Sequence, residues 1–310
     1  MIERLRRSIL YVPGDSEKML LKSSSMPADV LLFNLEDGVA GSRKDVARRN
    51  VVAALQSADP EGPERIVRIN SPDSDTGSKD ISGIVPVQPD GICLPKIESA
   101  SQIQKIDSIL HELEVHHGVA EKSIRLHAMI ESASGVLNAA EISGASPRMA
   151  SIIFGSADFV DNVRCRPGKD RQEILLALQM LVLAARTAGI DAIDAPCFDL
   201  RNHEQLRRES SIARSLGFDG KSALHPDQLA EINKAFDVTP EEIAWAEKVL
   251  KELDEAERRD KALSVLDGIL IDNPHRAAAQ RILGGKSRRV SSPAGSAEES
   301  APGRESNRKE

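Results

Sequence analysis

Short runs of apolar residues alternate with longer segments of helical periodicity over most of the chain. Each run covers four or five residues and ends in polar or turn-forming residues, as is typical of strands buried in a sheet. The predicted strands are Ser8–Val12, Val30–Asn34, Ile66–Ile69, Gly91–Leu94, Leu126–Ile130, Ser151–Phe154, Asp191–Asp194 and Gly220–Leu224. Eight strand–helix repeats in about 225 residues predict an α/β fold, a closed parallel (β/α)8 barrel.

The intervening segments predict helices, with one exception. Asn70–Ser82 is rich in Ser, Asp and Gly and predicts a loop. The barrel should span residues 1–235, followed over residues 236–284 by a helical extension, and residues 285–310 have the composition of a disordered tail. Helices are predicted from Ser16, over Lys44–Leu55, Ser101–Leu113, Arg171–Ala188, Glu204–Leu216, Pro240–Arg259 and Pro274–Leu283, and around Val136, Leu137, Ala140 and Ile142.

Composition narrows the classes of function. Only 3% of the 310 residues are aromatic against 40% hydrophobic, so the core must be aliphatic, which suits parallel strands covered by helices. A net charge of −7 without a basic stripe argues against nucleic-acid binding, and no apolar run reaches membrane-spanning length. Three distant cysteines and no signal-peptide core predict a cytoplasmic protein, with mitochondria still possible for a eukaryotic source.

Two carboxylates occupy equivalent positions after neighbouring predicted strands. Glu131 and Asp158 each follow an apolar run and should meet at one rim of the barrel, since the crossover between parallel strands is right-handed. Such a pair suits Mg²⁺, which keeps several waters for a substrate to displace. The alternative is that Glu131 caps the next helix and Asp158 lies in a turn. Other polar residues at strand ends are Tyr11, Glu36, Asp37, Arg68, Asn70, Lys96 and His225.

A set of ordered segments resembles the citrate lyase β-subunit-like family within the HpcH/HpaI aldolase group, and most closely its stand-alone citramalyl-CoA lyase branch. The resemblance implies a TIM barrel, usually assembled as a homotrimer. It also implies an enzyme with Mg²⁺ as cofactor, and acyl-CoA and keto-acid ligands. The matching segments are SILYVPGDSEKML, LLFNLEDGVA, IVRIN, GICLPKIES, AMIESASGVLNAAEI, FGSADF, AGIDAID, GFDGKSALHP and LDGILIDNP.

The resemblance also implies roles for individual residues. Glu131 and Asp158 fall on the metal ligands, with Glu131 also meeting substrate, and Arg68 falls on the arginine that holds the keto-acid oxygen or carboxylate. Leu224 and His225 match a stretch that lines the substrate pocket. The positions that meet coenzyme A correspond to Tyr11, Lys18 and Lys22. Without the resemblance, the two lysines would be read as part of a solvated helix face.

Asp272 matches an aspartate that serves as acid/base in a neighbouring subunit's site. By its sequence context alone, it would cap the helix that begins near Pro274. The presence of this C-terminal element favours a free-standing CoA enzyme over a carrier-bound subunit, because the latter generally lacks it. Four positions depart from the family pattern and leave the exact acyl-CoA open, namely Asn34, Ala157, Leu176 and Leu178.

The implied reaction is cleavage of a 3-hydroxyacyl-CoA, such as citramalyl-CoA, to acetyl-CoA and pyruvate. Two alternatives use the same site: malyl-CoA cleavage, and condensation of acetyl-CoA with glyoxylate followed by thioester hydrolysis. A third alternative, from another class, is a barrel that binds acyl-CoA without turning it over.

Overall fold

The computed structural model describes residues 4–290 and contains a closed barrel of eight parallel strands, as predicted. Strand order follows the chain, and β8 pairs with β1 through Ile9 and Ser222 to close the barrel. The observed ends differ from the predicted ones by at most two residues. The strands are β1 (Ser8–Pro13), β2 (Val30–Asn34), β3 (Glu64–Arg68), β4 (Gly91–Leu94), β5 (Arg125–Ile130), β6 (Met149–Phe154), β7 (Asp191–Asp194) and β8 (Gly220–Ala223).

Ten α-helices surround the strands. They are α1 (Glu17–Ser23), α2 (Lys44–Gln56), α3 (Asp75–Ile84), α4 (Ala100–His117), α5 (Ala133–Leu137), α6 (Ala139–Ser143), α7 (Ser156–Val163), α8 (Leu175–Ala188), α9 (His203–Leu216) and α10 (Leu229–Phe236). The helical pattern between β5 and β6 is divided at Asn138 into two short helices, and Leu137 is exposed rather than packed. Helices α7 and α10 were not predicted.

The loop predicted over Asn70–Ser82 is wrong, because most of it forms helix α3. Ser74 caps this helix by accepting a hydrogen bond from the backbone N–H of Gly77 at 3.0 Å. Ile81 and Ile84 are buried in the main apolar cluster, so packing compensates for the poor helix propensity of Ser, Asp and Gly.

Two layers of apolar side chains hold the barrel together. The larger cluster lies between the strands and the helices, and a smaller one fills the barrel interior. The interior cluster closes the barrel as a packed core and not as a channel. Its members are Ile9, Val30, Leu32, Ile66, Cys93, Met129, Ile153 and Ile193, with Tyr11 against them.

A polar cluster lies at the amino-terminal ends of the strands. Arg6 donates to Glu64 at 2.6 Å and to Asp191 at 2.7 Å, which ties β3 to β7. The fully buried His127 shares a hydrogen bond of 2.8 Å with Ser151. Burial first, and then the charges of Arg6 and Arg125, hold the pKa of His127 well below its usual value, so the folded protein keeps this imidazole neutral.

Residues 237–290, together with Arg4 and Leu5, form a second compact unit. It consists of α11 (Pro240–Glu257), an antiparallel hairpin of β9 (Ser264–Leu266) and β10 (Ile269–Ile271), and α12 (Asn273–Val290). Helix α12 continues through residues 285–290, where we predicted the disordered tail to begin, and residues 291–310 lie outside the described residues. The unit has its own core of Ala246, Val249, Leu253, Ile271 and Ala279.

None of the helices among the described residues carries an apolar stretch long enough to cross a bilayer.

We expect His127 to make folding stability fall in mild acid. The unfolded chain binds a proton on this imidazole as the pH drops below about 6.5, whereas the folded protein does not, so its contribution to stability is lost on acidification. Equilibrium urea unfolding between pH 8 and 5 should show a shallower pH dependence for His127→Gln than for wild type. The exposed His111→Gln is the control, and an unchanged pH dependence in the His127 variant would contradict the assignment.

Candidate active site

One cavity opens at the carboxyl ends of the strands and collects the barrel residues singled out in the sequence. Its volume is about 860 Å³, within the range of small-molecule sites. Asp272, by contrast, belongs to the C-terminal unit and does not line this cavity. The predicted site residues that do line it are Tyr11, Lys18, Lys22, Arg68, Glu131, Asp158, Leu224 and His225.

Glu131 is held at the end of β5 by its neighbours on both sides. One carboxylate oxygen accepts the backbone N–H of Lys96 at 3.0 Å. The backbone of Lys96 is in the left-handed region, with φ of 53°, which is unusual for a residue other than glycine. In this conformation its N–H points at Glu131. Directly after β6, the absence of a side chain at Gly155 makes room, because a Cβ there would lie 2.5 Å from Cγ of Glu131.

The alternative structural interpretation of Glu131 and Asp158 is wrong for both residues. Ser132 caps α5 by accepting the N–H of Gly135 at 3.1 Å, so Glu131 does not cap that helix. Asp158 lies in the first turn of α7, and not in a turn between elements. From there its carboxyl reaches the carboxyl of Glu131.

The two carboxyls repel each other when both are ionised. Burial first, and then the adjacent Asp158, raise the pKa of Glu131 to about 8, while the Lys96 N–H and Arg68 partly offset this rise. A bound divalent cation would relieve this repulsion. No group of three or more His, Cys, Asp or Glu suited to a metal occurs in residues 4–290, so the chain would supply two carboxylates. Two hard oxygen ligands with room for waters and substrate fit Mg²⁺.

Arg68 lies next to this pair and is itself oriented by the β2 side of the site. Its Nε donates to Oδ1 of Asn34 at 2.8 Å, and one of its terminal nitrogens lies 3.3 Å from a carboxylate oxygen of Glu36. Another terminal nitrogen donates to the backbone carbonyl of Asp37 at 3.0 Å. The guanidinium lies 5.3 Å from the ring centre of Tyr11, in a cation–π contact.

Asn34 connects Arg68 to the loop of Glu36 and Asp37. This role could not be inferred from the position of Asn34 in the sequence. Its Oδ1 accepts from Arg68 and from the backbone N–H of Glu36 at 3.0 Å, while its amide nitrogen donates to the carbonyl of Asp37. Lys44 anchors the same loop by donating to the carbonyls of Leu35 at 2.7 Å and Glu36 at 2.8 Å. An amide can accept through its oxygen and donate through its nitrogen at the same time, which an ionised carboxylate cannot do.

The remaining predicted residues occupy different depths of the cavity. Tyr11 lies inside the barrel, where burial raises the pKa of its phenol and keeps it neutral. Lys18 and Lys22 are exposed on α1, and nearby Met19 and Phe198 give the mouth an apolar side.

Leu224 and His225 are fixed at the end of β8. The amide oxygen of Gln228 accepts both of their backbone N–H groups, at 2.9 Å and 3.3 Å. Nδ1 of His225 accepts the N–H of Asp227 at 3.2 Å, which leaves the ring proton on Nε2 when the imidazole is neutral.

Besides Asn34, three other positions depart from the family pattern, and the structure shows where each of them lies. Leu178 is fully buried in the main apolar cluster and Leu176 is exposed on the outside of α8, so neither lines the cavity. Ala157 does line it, beside Asp158. Of the four replacements, those at Asn34 and Ala157 are therefore the ones that line the cavity.

We expect Gly155→Ala to weaken divalent-cation binding at least tenfold, because the added methyl overlaps the Glu131 side chain and displaces its carboxylate. Titration with Mn²⁺, followed by electron paramagnetic resonance, measures this directly. Gly144→Ala is a matched control, since its Cβ would meet no atom closer than 3.8 Å. Equal affinity for Mn²⁺ in the two variants would contradict the assigned site.

Comparison with known proteins agrees with this geometry. Residues 7–226 match the family described as HpcH/HpaI aldolase/citrate lyase. The chain is 36% identical to the citrate lyase subunit beta of Leuconostoc mesenteroides subsp. cremoris, covering 91% of this chain and 93% of that protein. It is 35% identical to a (3S)-malyl-CoA thioesterase of Cereibacter sphaeroides, covering 89% and 93%.

A structure of CitE from Mycobacterium tuberculosis in complex with magnesium, acetoacetate and coenzyme A superimposes with a TM-score of 0.75 at 27% identity, covering 93% of this chain and 100% of that one. The match to the Leuconostoc subunit spans 281 residues and so extends into the C-terminal unit. The element that we expected to favour a free-standing enzyme is therefore shared with a protein named as a subunit of citrate lyase. The chain belongs to the HpcH/HpaI aldolase/citrate lyase family, whose citrate lyase β-subunit-like members are lyases.

Proposed function

We propose that the protein is a Mg²⁺-dependent carbon–carbon lyase that cleaves a 3-hydroxyacyl-CoA, such as citramalyl-CoA, to acetyl-CoA and a 2-keto acid such as pyruvate. The observation that carries this proposal is the convergence of Arg68 with the paired carboxyls of Glu131 and Asp158 in one cavity. An anion-binding group beside a cation-binding pair matches a substrate fragment that carries a carboxylate next to a hydroxyl.

Glu131 and Asp158 would hold the cation. When bound, Mg²⁺ would supply Lewis-acid polarisation of the hydroxyl oxygen that becomes the keto oxygen. The side chain of Arg68 would bind the neighbouring carboxylate through two parallel N–H groups. The neutral phenol of Tyr11 lies under the guanidinium of Arg68. Tyr11 could therefore contact the keto-acid end of the substrate as well as the CoA thioester.

The coenzyme A portion would extend towards the mouth. Lys18 and Lys22 lie one helical turn apart on α1 and would pair with its phosphates, while Met19 and Phe198 offer apolar surface to its pantetheine arm. Leu224 and His225 would line the region between the two ends. This arrangement supports a long substrate that is anchored at both ends.

Asp272 would be the acid/base, brought to the cavity of a neighbouring subunit in a homotrimer. It would protonate the terminal carbon of the enolate in cleavage, or take a proton from the acetyl methyl group in condensation. A trimer and a cytoplasmic location both remain predictions.

Thioester hydrolysis is the second candidate. It is favoured by the 35% identity to (3S)-malyl-CoA thioesterase, and it would use the same cavity. Malyl-CoA could also be cleaved here, or be formed by condensation of acetyl-CoA with glyoxylate. Both reactions would use the same site with a keto acid smaller than pyruvate. A barrel that binds acyl-CoA without turnover finds little support, because Glu131, Asp158 and Arg68 converge in one cavity.

We expect Mg²⁺-dependent release of pyruvate from citramalyl-CoA, abolished by EDTA and lowered at least a hundredfold by Glu131→Ala. Malyl-CoA in parallel tests the keto-acid size, and free CoA measured with a thiol reagent separates hydrolysis from cleavage. The exposed Glu112→Ala serves as a control substitution. Binding of acetyl-CoA without product from either thioester would contradict the lyase proposal.

Asn34→Asp should raise KM for the thioester about tenfold and change kcat little. The new carboxylate would pair with Arg68 and lose the donor to the Asp37 carbonyl, so the guanidinium becomes less available to the substrate carboxylate. The control is Asn202→Asp, which adds the same charge at the cap of α9, where Asp serves as well as Asn. A wild-type KM would refute this role of Asn34.

A further inference from the structure

The acid/base candidate Asp272 has a partner that sequence analysis did not identify. Asp272 immediately precedes α12, and His275 follows it in the first turn of that helix. Oδ1 of Asp272 lies 2.7 Å from Nδ1 of His275, and the backbone N–H of Asp272 lies 3.3 Å from the same nitrogen. The two side chains are 47% and 38% exposed, so solvent reaches both within the chain.

One nitrogen cannot serve both contacts at once. Nδ1 carries either a hydrogen or a lone pair, so it either donates to Oδ1 or accepts from the backbone N–H. The contact to Oδ1 is much the shorter, and an ionised carboxylate can only accept. With the carboxylate ionised, the proton therefore lies on Nδ1, and within the described residues Oδ2 has no hydrogen-bond partner.

The neighbouring cation, Arg276, is already paired with carboxylates of α11. Arg276 follows His275 directly, but its guanidinium donates to Asp254 at 2.5 Å and to Glu257 at 3.3 Å, both on α11. Among residues 4–290, the imidazole of His275 is therefore the group through which a positive charge reaches the Asp272 carboxylate directly.

We propose that His275 is a positioning residue for Asp272 and that its protonation state sets how readily that carboxylate takes a proton. This inference rests on the proposed function, in which Asp272 is the acid/base. The Nδ1–H group fixes the carboxyl rotamer through Oδ1 and leaves Oδ2 as the reacting oxygen.

The proton transfer balances without any further reactant. In condensation, Oδ2 takes a proton from the methyl carbon of acetyl-CoA, the C–H bond breaks, and its electron pair stays on the substrate as the enolate. The Nδ1–H proton remains on His275. In cleavage the new O–H bond breaks again, and the enolate carbon receives the proton.

Histidine is the residue type whose charge changes in the physiological range of pH. An imidazolium forms an ion pair with the carboxylate and lowers its basicity, whereas a neutral imidazole keeps the hydrogen bond without the charge. Removal of a proton from acetyl-CoA should therefore become faster as His275 is deprotonated, and protonation should slow it again.

The test is exchange of the acetyl-CoA methyl hydrogens with D₂O, measured by mass spectrometry with Mg²⁺ and pyruvate between pH 5.5 and 8.5. The wild-type rate should rise about three- to tenfold as the imidazole loses its proton. His275→Gln retains a donor for Oδ1 and also offers an acceptor to the Asp272 N–H, as in a capping box, but it carries no titratable group. This variant should match the wild-type rate at high pH and lack the rise attributable to His275, while His275→Ala should be about tenfold slower throughout. A wild-type pH profile in His275→Gln would overturn the proposal.

A second measurement does not depend on turnover. In the NMR spectrum of the neutral imidazole, the nitrogen shifts of His275 should place its proton on Nδ1, and Asp272→Ala should move that proton towards Nε2, because the acceptor Oδ1 is lost; the exposed His111 provides the reference signal. The same tautomer in both proteins would refute the pair. If Asp272→Asn instead exchanges methyl hydrogens at the wild-type rate, the acid/base role in the proposed function fails, and that result is distinct from a failure of the Asp272–His275 interaction.

Discussion

The repulsion between Glu131 and Asp158 is the constraint around which the site is built. A buried carboxyl, that of Glu131, meets the exposed carboxyl of Asp158 at this rim, and the surrounding groups act to hold Glu131 there. The backbone N–H of Lys96 fixes one oxygen of Glu131, Gly155 leaves space for its side chain, and Arg68 supplies positive charge from β3. These contacts pre-position the ligands, so a cation would meet a site already arranged for it.

Barrel closure determines which residues can take part in this arrangement. Parallel pairing places Ile130 opposite Phe154, so that Glu131 and Gly155 become neighbours one residue further along. In the same way, pairing of Asn34 with Arg68 brings the amide to the guanidinium. The site is thus a direct product of strand register, and a shift of one residue would turn these side chains away from the cavity.

The sequence predicted the barrel well because its strands are short, buried and aliphatic, which leaves a clear pattern. It failed at α3, where Ser, Asp and Gly indicate a loop and only tertiary packing of Ile81 and Ile84 reveals the helix. Family resemblance identified the charged groups that face the cavity. It could not identify the role of Asn34 or of Gly155, because each acts through an atom on another strand, and sequence order does not encode such contacts.

The packed barrel interior also has a kinetic consequence. Side chains such as Ile66, Cys93 and Ile153 fill the space beneath Tyr11 and Arg68, so the cavity has a floor and opens at one end. The substrate fragment that binds at the floor must enter before a second fragment covers it. It can leave only after the second fragment has left. A two-part reaction in this cavity would therefore follow a compulsory order of binding and release, imposed by aliphatic packing and not by the affinities of the ligands.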